Sequence, residues 1–200
     1  MVGENVQQRL LLSLGQIYSS QQASNFMGRL LNEVAWQTDY IAYGRRVEIP
    51  RLQAWYADEG IYYRYSDNKL QSHAWIDSLL EIKRAVESRS GYLFNSVLLT
   101  HYRDGNDSVG WHADDEAELG SEPVIASLSL GATREFHFRH KQHAMSASMQ
   151  LHDGELIVMK PEFQEKWEHC VLAQPSVDKP RLNLTFRKVI MEGNASIRNA

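Results

Sequence analysis

His112 and Asp114 stand two residues apart in the stretch Trp111-His112-Ala113-Asp114-Asp115-Glu116. In an extended segment, side chains two apart point the same way and lie about 6.6 Å from one another, so one metal ion fits between them. Such a pair also arises by chance on polar loops, and it needs a third ligand from elsewhere in the chain. His169 is the candidate. Two histidines and one carboxylate on one side of an ion, with the other positions open, form the facial triad of non-haem Fe(II) oxygenases.

A second constellation follows in Arg181-Leu182-Asn183-Leu184-Thr185-Phe186-Arg187. With strand periodicity, Arg181, Asn183, Thr185 and Arg187 share one face and Leu182, Leu184 and Phe186 the other. A half-buried strand with its polar side in water has the same alternation. Two arginines framing an amide and a hydroxyl suit a carboxylate ligand better, because a guanidinium fork binds one bidentately while short polar groups fix its orientation. A metal triad followed by a carboxylate clamp points to an oxygenase with an acid as co-substrate.

Four segments together carry a family resemblance: Phe94 to Gly105, Trp111 to Glu116, Ile125 to Arg134 and Arg181 to Arg187. In this order they resemble the AlkB family of Fe(II)/2-oxoglutarate-dependent nucleic-acid demethylases, nearest to the branch of the mammalian DNA-repair homologues. The likeness runs from roughly Tyr43 to Ile190. It implies that His112, Asp114 and His169 hold Fe(2+), and that 2-oxoglutarate is gripped by Arg181, with Asn183, Thr185 and Arg187 steadying the co-substrate or the metal ligands and Tyr102 offering its hydroxyl. It also implies consumption of O2 and oxidation of an N-methyl group that leaves as formaldehyde, with succinate and CO2 as co-products.

The same resemblance makes Asp115 the acid that contacts a cationic base such as N1-methyladenine or N3-methylcytosine, with Glu116 assisting; a role in orienting His112 is the other possibility for this pair. Tyr63 and Tyr65 match positions that hold the flipped base, Tyr43 a position that inserts an aromatic finger, and Arg51 falls within the same substrate-binding segment. The chain departs from the family at Thr100, where Asn-x-Tyr is common and Thr100-His101-Tyr102 stands here. That puts one co-substrate contact at Thr100 in question.

The chain has 200 residues, of which 43% are hydrophobic and 23% charged, as in a globular protein large enough for a sizeable core. We expect a single domain over residues 1–200, with a nucleotide-recognition segment at about 40–70 and a catalytic core at about 92–190. No run of some 18 apolar residues and no signal-peptide pattern occurs, and Cys170 is the sole cysteine, so a monomeric, soluble, cytoplasmic protein without membrane contact is expected. Cys170 reads as a small buried hydrophobe. The net charge of −4 argues against non-specific coating of nucleic acid. Basic clusters at Arg45-Arg46 with Arg51, Arg134 to Lys141 and Arg181 to Lys188 could still hold phosphates locally.

The elements that must position these residues begin with an amphipathic helix capped at Ser19 or Ser20, with Phe26, Leu30, Leu31 and Val34 at helical spacing. Residues 1–19 read as a mobile lead or an edge strand. Tyr40 to Tyr65 reads as turns alternating with aromatics and arginines, either packing or a surface that stacks bases. Ser72 is the expected cap of a second helix marked by Trp75, Leu79, Leu80, Ile82 and Val86 and stopped at Gly91. Period-two strands then follow at 97–102, 125–130, 135–139, 148–152, 155–159 and 182–190, with Asp153-Gly154 as a hairpin signal. Residues 140–147 and 173–180 read as loops. Two helices followed by many short strands give an α+β, mainly β class: a double-stranded β-helix of jelly-roll type with helices packed on one sheet.

Three other functions fit the same residues. The oxygenase could act on RNA instead of DNA, or on a protein side chain, and the aromatic and arginine segment from Tyr43 to Tyr65 favours a base. A non-catalytic metal-dependent nucleic-acid-binding module would keep the fold without turnover.

Overall fold

The computed structural model describes residues 9–42, 45–61, 64–65, 68–69 and 72–190. The strands are β1 (Leu11–Gln16), β2 (Gln37–Ala42), β3 (Arg45–Ala57), β4 (Arg64–Tyr65), β5 (Asn68–Lys69), β6 (Ser72–His73), β7 (Ser96–Tyr102), β8 (Val109–His112), β9 (Ile125–Gly131), β10 (Arg134–His140), β11 (Ser146–Leu151), β12 (Glu155–Met159), β13 (Trp167–Val171) and β14 (Arg181–Arg187). The helices are α1 (Ser20–Glu33), α2 (Asp77–Ser90) and α3 (Pro161–Lys166).

Each helix forms where local chemistry allows it. The Ser19 hydroxyl accepts the Gln22 N–H while Gln22 Oε1 accepts the Ser19 N–H at 3.0 Å, a reciprocal cap that satisfies two orphan donors at the start of α1. Gly91 closes α2 in the left-handed conformation at φ 78°, donating its N–H to Glu87 O at 2.9 Å. The expected cap at Ser72 is wrong. Ser72 lies in β6, parallel to β3 opposite Trp55, and α2 starts after Ile76, which supplies no capping side chain.

Apart from the separate β4–β5 pair and the parallel strand β6, the strands form two antiparallel sheets facing one another. The large sheet runs β1-β12-β9-β14-β7-β3-β2, with β6 on β3; the small sheet runs β11-β10-β13-β8. Helices α1 and α2 cover the outer face of the large sheet, where Phe26, Leu30, Leu79 and Ile82 pack with Leu99, Leu128, Leu130, Leu182, Leu184 and Phe186, whereas Phe163 of α3 belongs to the core between the sheets. A second core fills the space between the sheets, joining Trp55, Ile125, Ile157 and Met159 to Phe136, Phe138 and Leu151. The jelly-roll expectation, helices on one sheet, is therefore what the chain adopts. No helix among the described residues is long and apolar enough to cross a membrane.

Two further expectations need correction. Asp153-Gly154 does not join a hairpin: β11 belongs to the small sheet and β12 to the large one, so the pair turns the corner between layers. A left-handed glycine serves that corner as well as a tight turn. Gly154 has φ 74°, and an added Cβ would meet Tyr18 O at 2.5 Å. The hairpin in this region is β10 with β11, registered from Arg134 opposite Leu151 to Arg139 opposite Ser146. The stretch expected as turns from Tyr40 onward holds instead the 13-residue strand β3, which pairs with β2 and β7.

Candidate active site

Antiparallel register places the polar row of β14 on the inner face of the large sheet. Asn183 lies opposite Thr100 of β7 and Ser129 of β9, and Thr100 is in turn opposite Gln53 of β3. One step along, Arg181 lies opposite Tyr102; at the other end, Thr185 lies opposite Leu98 and Ser127. The leucines between them point into the helix-covered core, so period two sorts this strand as its sequence requires. The cavity above this row is lined by Arg51, Gln53, Thr100, Tyr102, Asn183, Thr185 and Arg187, and across it by His112, Asp114 and His169.

His112 ends β8 directly opposite His169 of β13, with ring centroids 4.3 Å apart. The strand stops there and Asp114 sits in the bend after it, so the expected extended spacing is replaced by a turn that swings the carboxylate toward both rings. One ligand atom from each of His112, Asp114 and His169 lies within 4.8 Å of the others. The His112 Nδ1 is 2.8 Å from Gly110 O; donation there fixes the tautomer that leaves Nε2 with its lone pair.

Asp114 is 1% exposed. Its N–H donates to Gln164 Oε1 at 2.9 Å, and its Oδ1 accepts from the Nε and Nη2 of Arg187. Burial alone would raise this carboxyl, but Arg187, then His169 and His112, overcome it and hold it at about 2. Burial, and next His112, push His169 down to about 3 against the pull of Asp114, so its imidazole is neutral. Asp114 Oδ2 is buried without a hydrogen-bond partner, 3.6 Å from His169 Nε2. A charged oxygen buried with no donor, beside two imidazoles, is the demand that a divalent cation meets.

The other end of the cavity shows the opposite demand. Arg181 is 1% exposed; its Nη2 donates to Ser129 Oγ at 2.9 Å and Asn183 Oδ1 at 2.7 Å, while Nε and Nη1 are buried without partners. Burial lowers this guanidinium, and Arg134 lowers it further, against Tyr102. Asn183 passes the chain on, its Nδ2 donating to Thr185 Oγ1 at 2.7 Å. Buried cationic donors left open across the cavity from an open anion fit a small acid that reaches from metal to clamp.

The remaining candidates divide. Thr100 and Tyr102 are buried in the site, and Arg51 lines it while donating to Ser108 O at 3.3 Å. Arg187 joins Asp114, which places this arginine at the metal end of the row. Asp115 is exposed and paired with Lys141 Nζ at 2.7 Å, and Glu116 caps the 3-10 turn Ala117–Leu119; neither lines the cavity. Tyr65 is in β4 opposite Asn68. Tyr43 and Tyr63 fall outside the described residues.

Sequence reasoning missed Gln53, Gln164, Lys141 and the role of Arg134. Arg134 is 1% exposed, with no part in a surface cluster: it donates to the carbonyls of Asp104, Asp107 and Leu172 and to Gln174 Oε1, and lies 5.3 Å from the ring of Tyr102. Tyr102 is also 5.1 Å from Arg181, so two guanidinium groups stack on one ring.

Residues 11–187 match the model of the 2OG-Fe(II) oxygenase superfamily. The chain is 35% identical to the DNA oxidative demethylase ALKBH2 of Mus musculus over 186 residues, covering 87% of this chain and 78% of that protein. It is 38% identical to the alpha-ketoglutarate-dependent dioxygenase alkB homolog 3 of Rattus norvegicus over 182 residues, covering 84% and 60%. The solved structure of OsALKBH1 superposes with a TM-score of 0.62 at 17% identity, covering 89% of this chain and 97% of that one, and a 2OG-Fe(II) oxygenase family oxidoreductase from Burkholderia pseudomallei with 0.58 at 13%, covering 92% and 87%. These two show the shared fold. Together with the His-Asp-His grouping, the matches establish that this chain belongs to the AlkB family of Fe(II)/2-oxoglutarate-dependent dioxygenases.

Proposed function

We propose that the protein removes N-methyl groups from alkylated bases of DNA, with N1-methyladenine and N3-methylcytosine as its substrates. The observation that carries the oxygenase chemistry is the pair of complementary vacant demands in one cavity, the buried Oδ2 of Asp114 and the buried Nε and Nη1 of Arg181. DNA as the substrate rests on the relatives named DNA oxidative demethylase, 35% identical over most of the chain.

In this reading His112, Asp114 and His169 hold Fe(2+), and Arg181 takes the far carboxylate of 2-oxoglutarate. When bound, the metal and co-substrate supply the oxidation by O2 that converts the methyl group to a hydroxymethyl group, which leaves as formaldehyde. The protein's own residues do the rest. Arg187 neutralises Asp114 and keeps it ionised as a ligand. Asn183 and Thr185 set the orientation of the clamp, and Tyr102, with the guanidinium groups of Arg134 and Arg181 near its ring, presents its hydroxyl from a fixed ring. Thr100 lacks the amide common in the family, and Gln53, opposite it across β3 and β7, carries one into the same cavity. Asp115, exposed and next in sequence to Asp114, meets the positive charge of the methylated base, which a neutral base does not have.

Incubation with Fe(II), 2-oxoglutarate and ascorbate, followed by mass spectrometry of an oligonucleotide carrying one N1-methyladenine, tests this. Loss of one methylene mass with release of formaldehyde, abolished in His169→Ala, is the expected result. Succinate without change to DNA would retain the dioxygenase and move the substrate to RNA or protein.

A further inference from the structure

Lys141 follows β10, and its ammonium is the partner of Asp115 at 2.7 Å. It is not a loosely placed surface lysine. Its N–H donates to Lys166 O at 2.8 Å and its Nζ also donates to Gln164 O at 2.9 Å, so both ends are tied to α3. Gln164, through Oε1, holds the N–H of Asp114. The ammonium is thereby stationed beside the loop that carries the metal carboxylate, with its side chain 28% exposed and that of Asp115 54% exposed.

We propose that Lys141 is a stand-in cation for the damaged base: it occupies Asp115 in the resting protein and yields only to a base that itself carries positive charge. This rests on the demethylase reading of the site. An ion pair of this exposure is weak and exchanges readily. A cationic methylated base replaces one positive charge at Asp115 with another, and the released ammonium keeps its bond to Gln164 O and gains water. A neutral base has no charge to offer, so it leaves the Lys141–Asp115 pair in place and gains nothing from the carboxylate. Lys141 thus competes with the cationic base for Asp115 and moderates the preference for charge without touching the reacting methyl group.

The test compares binding of three single-stranded oligonucleotides to the anaerobic Fe(II)/2-oxoglutarate protein by fluorescence anisotropy: one unmodified, one with cationic N1-methyladenine and one with neutral N1-methylguanine. Lys141→Met should tighten the N1-methyladenine oligonucleotide relative to the unmodified one by about fivefold, the upper range for a pair this exposed. It should leave the N1-methylguanine ratio unchanged. Lys141→Gln should behave alike, and neither should change binding in an Asp115→Asn background. Weakened or unchanged relative binding of the cationic base overturns the proposal, as does equal tightening of both methylated bases. Repair of N1-methyladenine by the unaltered protein is scored separately, so a working demethylase with no selective tightening refutes the exchange alone, and absence of repair refutes the demethylase.

Discussion

Arg187 and Asp114 are joined through two guanidinium nitrogens on a single carboxylate oxygen, which leaves the second oxygen of Asp114 aimed toward His169. Both side chains are almost wholly buried. Arg187→Met therefore leaves a buried carboxylate with its main counter-charge gone. Loss of one partner of a buried pair costs about 3–5 kcal/mol, and loss of a group that orients a ligand weakens metal binding by about 10–100-fold. Thermal melting of the metal-free variant and calorimetric titration with Mn(II) check both. A variant as stable as the parent would mean that Asp114 is not held as a carboxylate by Arg187.

Arg181 behaves in the opposite sense. Its buried guanidinium has unmatched donors, so the protein without co-substrate carries the cost of an incompletely paired cation. Arg181→Met should leave the stability of the co-substrate-free protein nearly unchanged or raised, since a well-packed apolar replacement removes that cost. It should also raise the KM for 2-oxoglutarate by about 30-fold or more, the effect of truncating one partner of a buried charge pair. Succinate release against 2-oxoglutarate concentration gives the KM. The rise in melting temperature on adding 2-oxoglutarate should vanish in the variant.

The His-Asp-His grouping and the polar row of β14 were legible because each rests on residue types whose chemistry is local: His-x-Asp at the end of a strand, and an arginine-asparagine-threonine-arginine row at period two. The helices were legible through Ser19 and Gly91, which act within one turn. What escaped depends on distant partners. β3 runs through Pro50, and its residues divide between two cores and the cavity: Ala54 and Tyr56 face the helices, Trp55 the inter-sheet core and Gln53 the site. No clean hydrophobic alternation survives that division. Asp153-Gly154 signals a reversal but not which sheet the next strand joins. Arg134, Arg139 and Lys141 form one basic cluster in sequence, yet one is buried among carbonyls, one stacks on Trp111 at 4.3 Å and one pairs with Asp115.

Gln53 and Thr100 allow a direct comparison of two residues opposite one another. If the amide of Gln53 does the work that Thr100 lacks, Gln53→Ala should raise the KM for 2-oxoglutarate more than Thr100→Ala, by about fivefold to tenfold for one neutral hydrogen bond. In a Gln53→Ala background, Thr100→Asn should recover part of the loss. Steady-state succinate assays on the four proteins decide it, and equal small effects of both truncations would remove Gln53 from the co-substrate site.

The loop holding Gly105 is the tightest contact near the site. An added Cβ there would meet Gln174 O at 1.8 Å, while the Gly105 N–H donates to Val177 O at 2.7 Å and its carbonyl accepts from Gln174 N–H at 2.6 Å. Gln174 also accepts from Arg134, whose other bonds tie together the carbonyls of Asp104, Asp107 and Leu172 and whose guanidinium lies by the ring of Tyr102. Gly105→Ala must push the two loops apart and leave several of these buried groups unpaired. A loss of about 2–4 kcal/mol in urea unfolding is expected, typical of core overpacking with orphaned polar groups. The Arg134→Met variant should lose a similar amount, and the double variant less than the sum, because both break one clasp.

Asp107 gives this clasp a pH dependence with a definite sign. It is 4% exposed, and burial alone would raise its carboxyl. The side chain and backbone N–H of Arg103 outweigh burial and hold it below the usual carboxylate range. A carboxyl that titrates lower in the folded chain than in the unfolded one binds fewer protons when folded. Its contribution is therefore complete above the unfolded value of about 4 and is lost as pH falls through the folded value. Urea unfolding midpoints measured from pH 6 downward should fall less steeply below about pH 4 in Asp107→Asn than in the parent. The variant should already be less stable at neutral pH, where the Arg103 pair is missing. An unchanged acid slope would mean that Asp107 titrates alike in both states and that Arg103 holds the loop through geometry alone.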